Sequence, residues 1–198
     1  VRAEIIKAAD RKLNKVRNSR CNILIFGGSH GARILNDVVP KALMQVENSN
    51  ISIIHQCGSH STEALRSEYK KLGLSNDARV CSFIEDMAEA YSWADLVISR
   101  SGAMTLAELA TIGLVAVLVP YKYAVDDHQT KNAEYYSTRK AAFTISEDQL
   151  TAKGLKNLVE KVLSDNVLYD SVGNTAKTLG HLQATDLVVE HCMEFMNG

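Results

Sequence analysis

Along the chain, short unbroken runs of branched apolar residues alternate with stretches in which apolar positions recur every three or four residues. The runs Asn22–Phe26, Ile51–Gln56, Arg79–Phe83, Leu96–Ser99, Ala116–Val119 and Ala142–Ile145 predict β-strands. Between them, Ala32–Glu47, Ser61–Leu72, Met87–Tyr91, Thr105–Thr111 and His128–Thr138 carry the helical period. Pro40 falls inside the first of these and is expected to kink or split it, because it cannot donate a backbone hydrogen bond. From Thr151 onward the pattern is helical only, ending in an amphipathic stretch over Thr185–Met196, and Gly73–Asp77 reads as an exposed loop. Alternation of strand and helix implies right-handed crossovers. The near-continuous Ile/Leu/Val strands are those of a parallel sheet covered on both faces. The expected architecture is α/β, a doubly wound, Rossmann-like parallel sheet of six strands.

Composition fits one soluble globular domain: 198 residues, 46% hydrophobic and 23% charged. A net charge of -1 gives no electrostatic case for nucleic acid as a partner. The first twenty residues are nevertheless basic, with Arg2, Lys7, Arg11, Lys12, Lys15, Arg17 and Arg20 against Glu4 and Asp10. That bias reads as the solvated face of a first helix, or else as a patch facing phosphate or an anionic membrane. Cys21, Cys57, Cys81 and Cys192 lack any CxxC spacing and read as small core residues of a reducing compartment. No apolar run approaches the roughly 18 residues of a membrane span. The opening Val1-Arg2, without an initiating Met, reads as a fragment or a processed chain.

In a doubly wound sheet, ligands bind beyond the carboxyl ends of the strands, where the strand order reverses. Three loops there carry unusual chemistry. After the first strand comes Gly27-Gly28-Ser29-His30-Gly31-Ala32-Arg33, whose glycines let backbone approach a ligand and whose following helix start attracts an anion. Its spacing is not GxGxxG, so a dinucleotide fingerprint is missing; tight strand-to-helix packing alone would also explain the glycines. After the fourth strand, Ser101 and Gly102 open another helix with unpaired N–H groups, and Glu108 follows about one turn in. A carboxylate there either stabilises the helix dipole or accepts hydrogen bonds from vicinal ribose hydroxyls. After the fifth strand, Asp126, Asp127, His128 and Gln129 crowd a third helix start. Asp at that place is an ordinary N-cap, whereas His and Gln suit sugar hydroxyls; a metal site is the less favoured alternative. Together the loops outline an extended, phosphate-containing ligand, better a nucleotide-sugar than a simple anion.

Four motifs in register then resemble one family: Gly27-Gly28-Ser29-x-Gly31-Ala32-Arg33, Phe83-Ile84-Glu85-Asp86-Met87, Ser101-Gly102-Ala103-Met104-Thr105-x-x-Glu108 and Asp127-His128-Gln129-x-x-Asn132-Ala133. The chain is similar, over nearly all its length, to the C-terminal half of the MurG family of two-domain GT-B glycosyltransferases. Val1-Arg2 resembles the end of the segment that leads into that half. The resemblance implies a UDP-N-acetylglucosamine donor-binding domain over residues 1–198, with 1–20 as boundary segment and first helix and 151–198 as terminal helices. It implies donor binding by Arg2, Ser29, Ile84, Met104, Thr105, Glu108, His128 and Gln129. Ser29 and Arg2 would hold the diphosphate with the backbone of Gly27, Gly28, Gly31, Ser101 and Gly102. Ile84 would hold uracil through its main chain, Met104 and Thr105 would lie against the nucleotide, Glu108 would bind ribose, and His128 and Gln129 would contact the sugar. No metal or other cofactor is implied. His30 stands where the family more often has Gln, and it reads as a tolerated exposed residue or as a phosphate contact.

The reaction implied is inverting transfer of N-acetylglucosamine to a muramyl-pentapeptide lipid, converting lipid I to lipid II in peptidoglycan synthesis. The lipid-linked acceptor and the general base would belong to an N-terminal acceptor domain missing from this sequence. This chain alone would then be soluble, binding donor without transferring it. The full enzyme would sit peripherally on the cytoplasmic face of the bacterial inner membrane. Alternatives are the soluble subunit of a split UDP-N-acetylglucosamine transferase and a non-catalytic nucleotide-sugar-binding domain. An epimerase of the same architecture is disfavoured because its catalytic residues find no match.

Overall fold

Residues with branched apolar side chains on both faces of an extended segment need cover above and below, and here they find it. The computed structural model describes residues 1–13, 20–47 and 50–180. Lys15 and Arg17 of the basic stretch, Cys192, and Leu187, Val188, His191 and Phe195 of the terminal amphipathic stretch lie outside the described residues. Six strands, β1 (Cys21–Phe26), β2 (Ile51–Gln56), β3 (Ala78–Cys81), β4 (Leu96–Ser99), β5 (Val115–Leu118) and β6 (Phe143–Thr144), form one sheet in the order β3-β2-β1-β4-β5-β6. Every pairing is parallel. Central β1 aligns Ile23 with Ile53 of β2 on one side and with Leu96 of β4 on the other.

Among the described residues eight α-helices cover the sheet: α1 (Ala3–Leu13), α2 (Arg33–Leu43), α3 (Thr62–Lys71), α4 (Met87–Trp93), α5 (Ala103–Ile112), α6 (His128–Thr138), α7 (Ala152–Ser164) and α8 (Asn166–Thr178). Side chains of a strand alternate between faces, so β1 divides itself between two cores. Ile23 and Ile25 pack with Leu35 and Val39 of α2, Leu65 of α3 and Leu155 of α7. Leu24 and Phe26 pack with Ile5 of α1, Tyr91 of α4 and Leu109 of α5 on the opposite face. Cys21 and Cys57 are buried and Cys81 is half-buried. Among the described residues no helix is long and apolar enough to cross a membrane.

The six-stranded, doubly wound expectation holds, with shifts at element ends. β3 stops at Cys81, and Phe83, expected within it, is exposed. β5 runs one residue earlier than expected, and β6 keeps only two residues of Ala142–Ile145. α5 is longer than expected at both ends, and α2 ends at Leu43 rather than Glu47. Pro40 does not split α2. It sits in the last turn, where it removes one donor only, and its own carbonyl still accepts the Met44 N–H at 3.1 Å.

Candidate functional site

β1 and β4 lie side by side, but the chain leaves them toward opposite halves of the sheet, which opens a crevice beyond their carboxyl ends. The loop after β1 is shaped by two glycines with different duties. Gly31 has φ +75°, and a Cβ there would lie 2.1 Å from the Cys57 carbonyl oxygen, so the loop docks on the end of β2 only because position 31 has no side chain. Gly28 has φ +91° and a Cβ there would meet nothing within 4 Å. Its backbone faces open space, the surface a ligand would use.

Three helix starts around the crevice lack a side-chain cap. α2, α5 and α6 follow Ala32, Gly102 and Asp127, and none of the three supplies a side-chain cap. By contrast, α4, α7 and α8 are capped by Asp86, Thr151 and Asp165. The expectation that Asp127 caps α6 is therefore corrected. Asp126 and Asp127 both have φ 53°, a left-handed conformation that turns the Asp127 side chain away from capping geometry. Two successive non-glycine residues in that region cost of order 1–3 kcal/mol each and mark loops shaped for something other than stability.

A cavity of about 170 Å³ opens at the switch point, walled by Gly28 and Ser29 from the loop after β1, Ile84 from the loop after β3, and Thr105 and Glu108 from α5. Five of the sequence-predicted positions, from two loops and one helix, thus share one wall. Glu108 is buried, and its carboxylate is fully engaged. The Arg2 Nε and Nη2 donate to Oε1 at 3.1 and 2.9 Å, and the Tyr91 hydroxyl donates to Oε2 at 3.1 Å. Burial, reinforced by the neighbouring Glu108, pushes the Tyr91 hydroxyl well above its ordinary pKa, so it remains a donor at neutral pH.

A second cavity, of about 680 Å³, lies across the glycine loop and is lined by His30, Gly31, Arg33, Arg100, Gln129 and Glu147. Ser29 and His30 are bonded to one another (Oγ to Nδ1, 3.1 Å) yet face different cavities. Gln129 is held by its backbone and side chain alike: its carbonyl accepts the Ser101 hydroxyl at 2.8 Å, and its Oε1 accepts the Tyr121 N–H at 3.1 Å. Ser101 is wholly buried, with its own carbonyl accepting from Asn132 Nδ2 at 3.0 Å, so its side chain clamps two loops together. His128 is exposed at the start of α6, and Met104 is 61% exposed and lines neither cavity.

Three residues escape a sequence reading. Tyr91 occupies an apolar position of α4 and carries no motif. Gln56, buried at the end of β2, accepts from the Gly27 N–H at 3.4 Å and donates to the Ser82 carbonyl at 3.0 Å, joining the loops after β1 and β3. Arg100 donates to the carbonyls of Val119 and Pro120 and pairs with Glu147 at 2.5 Å, joining the loops after β4 and β5. Polar residues at strand ends were the only available signal.

A model of the glycosyltransferase family 28 C-terminal domain matches residues 22–186. The UDP-N-acetylglucosamine–N-acetylmuramyl-(pentapeptide) pyrophosphoryl-undecaprenol N-acetylglucosamine transferase of Psychromonas ingrahamii is 37% identical over 99% of this chain and 54% of its own length. The enzyme of the same name from Halorhodospira halophila is 43% identical over 92% of this chain and 51% of its own length. The crystal structure of Acinetobacter baumannii MurG superposes with a TM-score of 0.85 at 38% identity, covering 96% of this chain and 55% of that one. The chain spans about half the length of the relatives it matches.

Proposed function

The chain belongs to the family of glycosyltransferase family 28 C-terminal domains, and from that premise we propose that it is the UDP-N-acetylglucosamine-binding half of the transferase that converts lipid I to lipid II. One observation carries the reading: Gly28, Ser29, Ile84, Thr105 and Glu108, from two loops and one helix, wall a single cavity at the switch point of the sheet. A cavity of about 170 Å³ is smaller than the 300–1,000 Å³ usual for whole ligands. It takes the nucleoside, while the diphosphate and sugar extend over Gly28 and the start of α5. Uracil stacks at Ile84 against its main chain, and ribose hydroxyls donate to Glu108. The diphosphate lies over Ser29 and the N–H groups at the starts of α2 and α5, with Gly27, Gly28, Gly31 and Gly102 keeping the backbone within reach. Thr105 lies beside the nucleotide. Met104 lies with it against the nucleotide and its phosphate, and His128 and Gln129 lie on the sugar side, where the hydrogen bond from Ser101 to the Gln129 carbonyl fixes the start of α6.

Arg2 serves two positions in this reading. It pairs with Glu108, where the Arg2 side chain is 52% exposed and that of Glu108 6%, so the guanidinium can leave only as ribose hydroxyls take its place on the buried carboxylate. When donor enters, the guanidinium swings to the diphosphate and frees the carboxylate. During transfer the acceptor's sugar hydroxyl attacks the anomeric carbon, the bond to the diphosphate breaks, and UDP leaves. The negative charge gathering on UDP is stabilised by Arg2 and two uncapped helix starts, each worth about 0.3–1 kcal/mol or more where water is excluded. Acceptor lipid and general base come from the half of the relatives' length that this chain does not match. The enzyme works peripherally at the cytoplasmic face of the inner membrane, and this chain by itself binds donor without transferring it.

Calorimetric titration with UDP-N-acetylglucosamine, UDP-glucose and NADH tests the reading. The first is expected to bind in preference to the others, and Glu108→Ala is expected to weaken it at least tenfold. Equal affinity for NADH, or full affinity in Glu108→Ala, would overturn it.

A further inference from the structure

The Glu108 carboxylate has two partners of opposite character. Arg2 reaches Oε1 from the stretch preceding α1, with half its side chain in solvent. Tyr91 reaches Oε2 from inside α4, only 1% exposed, its ring packed edge-on against Phe26 at 6.0 Å. One partner is free to leave and the other is not. A buried carboxylate that loses Arg2 would otherwise be loose in its rotamer and short of a donor.

We propose that Tyr91 is the positioning residue of the ribose-binding carboxylate, its hydroxyl holding Glu108 Oε2 so that Oε1, vacated by Arg2, meets the ribose hydroxyls. This rests on the donor-site reading above. The consequence is a division of labour between two oxygens: Oε2 anchors and Oε1 recognises. Without the anchor the side chain samples other rotamers, and an oriented hydrogen bond to a hydroxyl becomes an average over several geometries. The ring of Tyr91 contributes packing whether or not its hydroxyl is present, so the hydroxyl's effect is confined to ligands that offer a ribose hydroxyl. Tyr91, on the wall of the same cavity, therefore sets discrimination between nucleotides with and without ribose hydroxyls through the carboxylate it holds.

The test is calorimetric titration of UDP and 2′,3′-dideoxy-UDP into wild-type chain, Tyr91→Phe, Glu108→Ala and the double variant. Phenylalanine keeps the ring and its contact with Phe26. The expected result is a loss of about 5- to 10-fold in UDP affinity for Tyr91→Phe, the scale of one net hydrogen bond, with 2′,3′-dideoxy-UDP changed less than about twofold. In the Glu108→Ala background, Tyr91→Phe should change neither affinity, because the group it positions is gone. Equal losses for both nucleotides, or a Tyr91→Phe effect that persists without Glu108, would overturn the inference while leaving the donor site standing. Failure of the wild-type chain to bind either nucleotide would overturn the donor-site reading itself, and this inference with it.

Discussion

His55 shows how one side chain sets an acid limit on the whole chain. It sits on β2, wholly buried, with Nδ1 2.9 Å from the Tyr69 hydroxyl and Nε2 without a partner. Burial lowers its pKa from 6.5 to about 3, so the ring stays neutral in the fold. The unfolded chain takes up a proton near pH 6.5 that the native chain refuses. Stability from this group is thus complete above pH 6.5 and is lost as pH falls toward 3. Urea denaturation should show this residue costing about 2 kcal/mol between pH 7 and pH 5. His55→Gln, which cannot titrate, should flatten the dependence by that amount; an unchanged slope would mean that the ring is protonated in place.

Among the elements, the loop joining β1 to α2 separates folding from binding within four residues. At Gly31 a methyl group would strike the Cys57 carbonyl, and the positive φ adds strain. Gly31→Ala should therefore cost about 3 kcal/mol and lower the melting temperature markedly. At Gly28 there is strain but open space. Gly28→Ala should cost about 1 kcal/mol of stability, and its larger effect should fall on UDP affinity, because the methyl group projects where phosphate would lie. Thermal melts and calorimetry on the two variants would separate these roles. If both variants lost stability alike with binding unaltered, the loop would be a packing device only.

Across the molecule, the crevice depends on a few long side chains that hold loops from different strands in register. Arg100 is the chief of these: its guanidinium bonds Val119, Pro120 and Glu147, and it also lies 5.2 Å from the Tyr121 ring. The ion pair is mostly buried, with side chains 12% and 14% exposed. Removing one partner of such a pair strands the other. Arg100→Met should cost about 3 kcal/mol. It should also weaken UDP-N-acetylglucosamine more than UDP, because Arg100 pins Pro120, and the next residue, Tyr121, donates its N–H to Gln129. Equal weakening of both ligands in calorimetry would place Arg100's influence on the nucleotide side instead.

Much of the fold follows from the order of residues alone. β2 at Ile51–Gln56 and β4 at Leu96–Ser99 are read with their observed ends, because branched apolar residues dominate both: Ile51, Ile53 and Ile54 in one, Leu96, Val97 and Ile98 in the other. Loop chemistry is legible for the same reason: strand-helix alternation dictates which loops lie at the carboxyl edge. The short edge elements are not, since β6 has two residues and its pairing is made by β5. Nor is the state of Glu108. Its motif makes it an expected ligand for ribose, but its partners lie 106 and 17 residues away in the chain. Tyr91 reads as one more apolar position on a helix; only the tertiary fold, in which α4 and α5 both pack against α1, brings its hydroxyl to a carboxylate. Local pattern determines which segments bury which faces. Which polar groups then meet depends on the strand order β3-β2-β1-β4-β5-β6, and that order is decided by how the two cores close, not by any neighbouring residues.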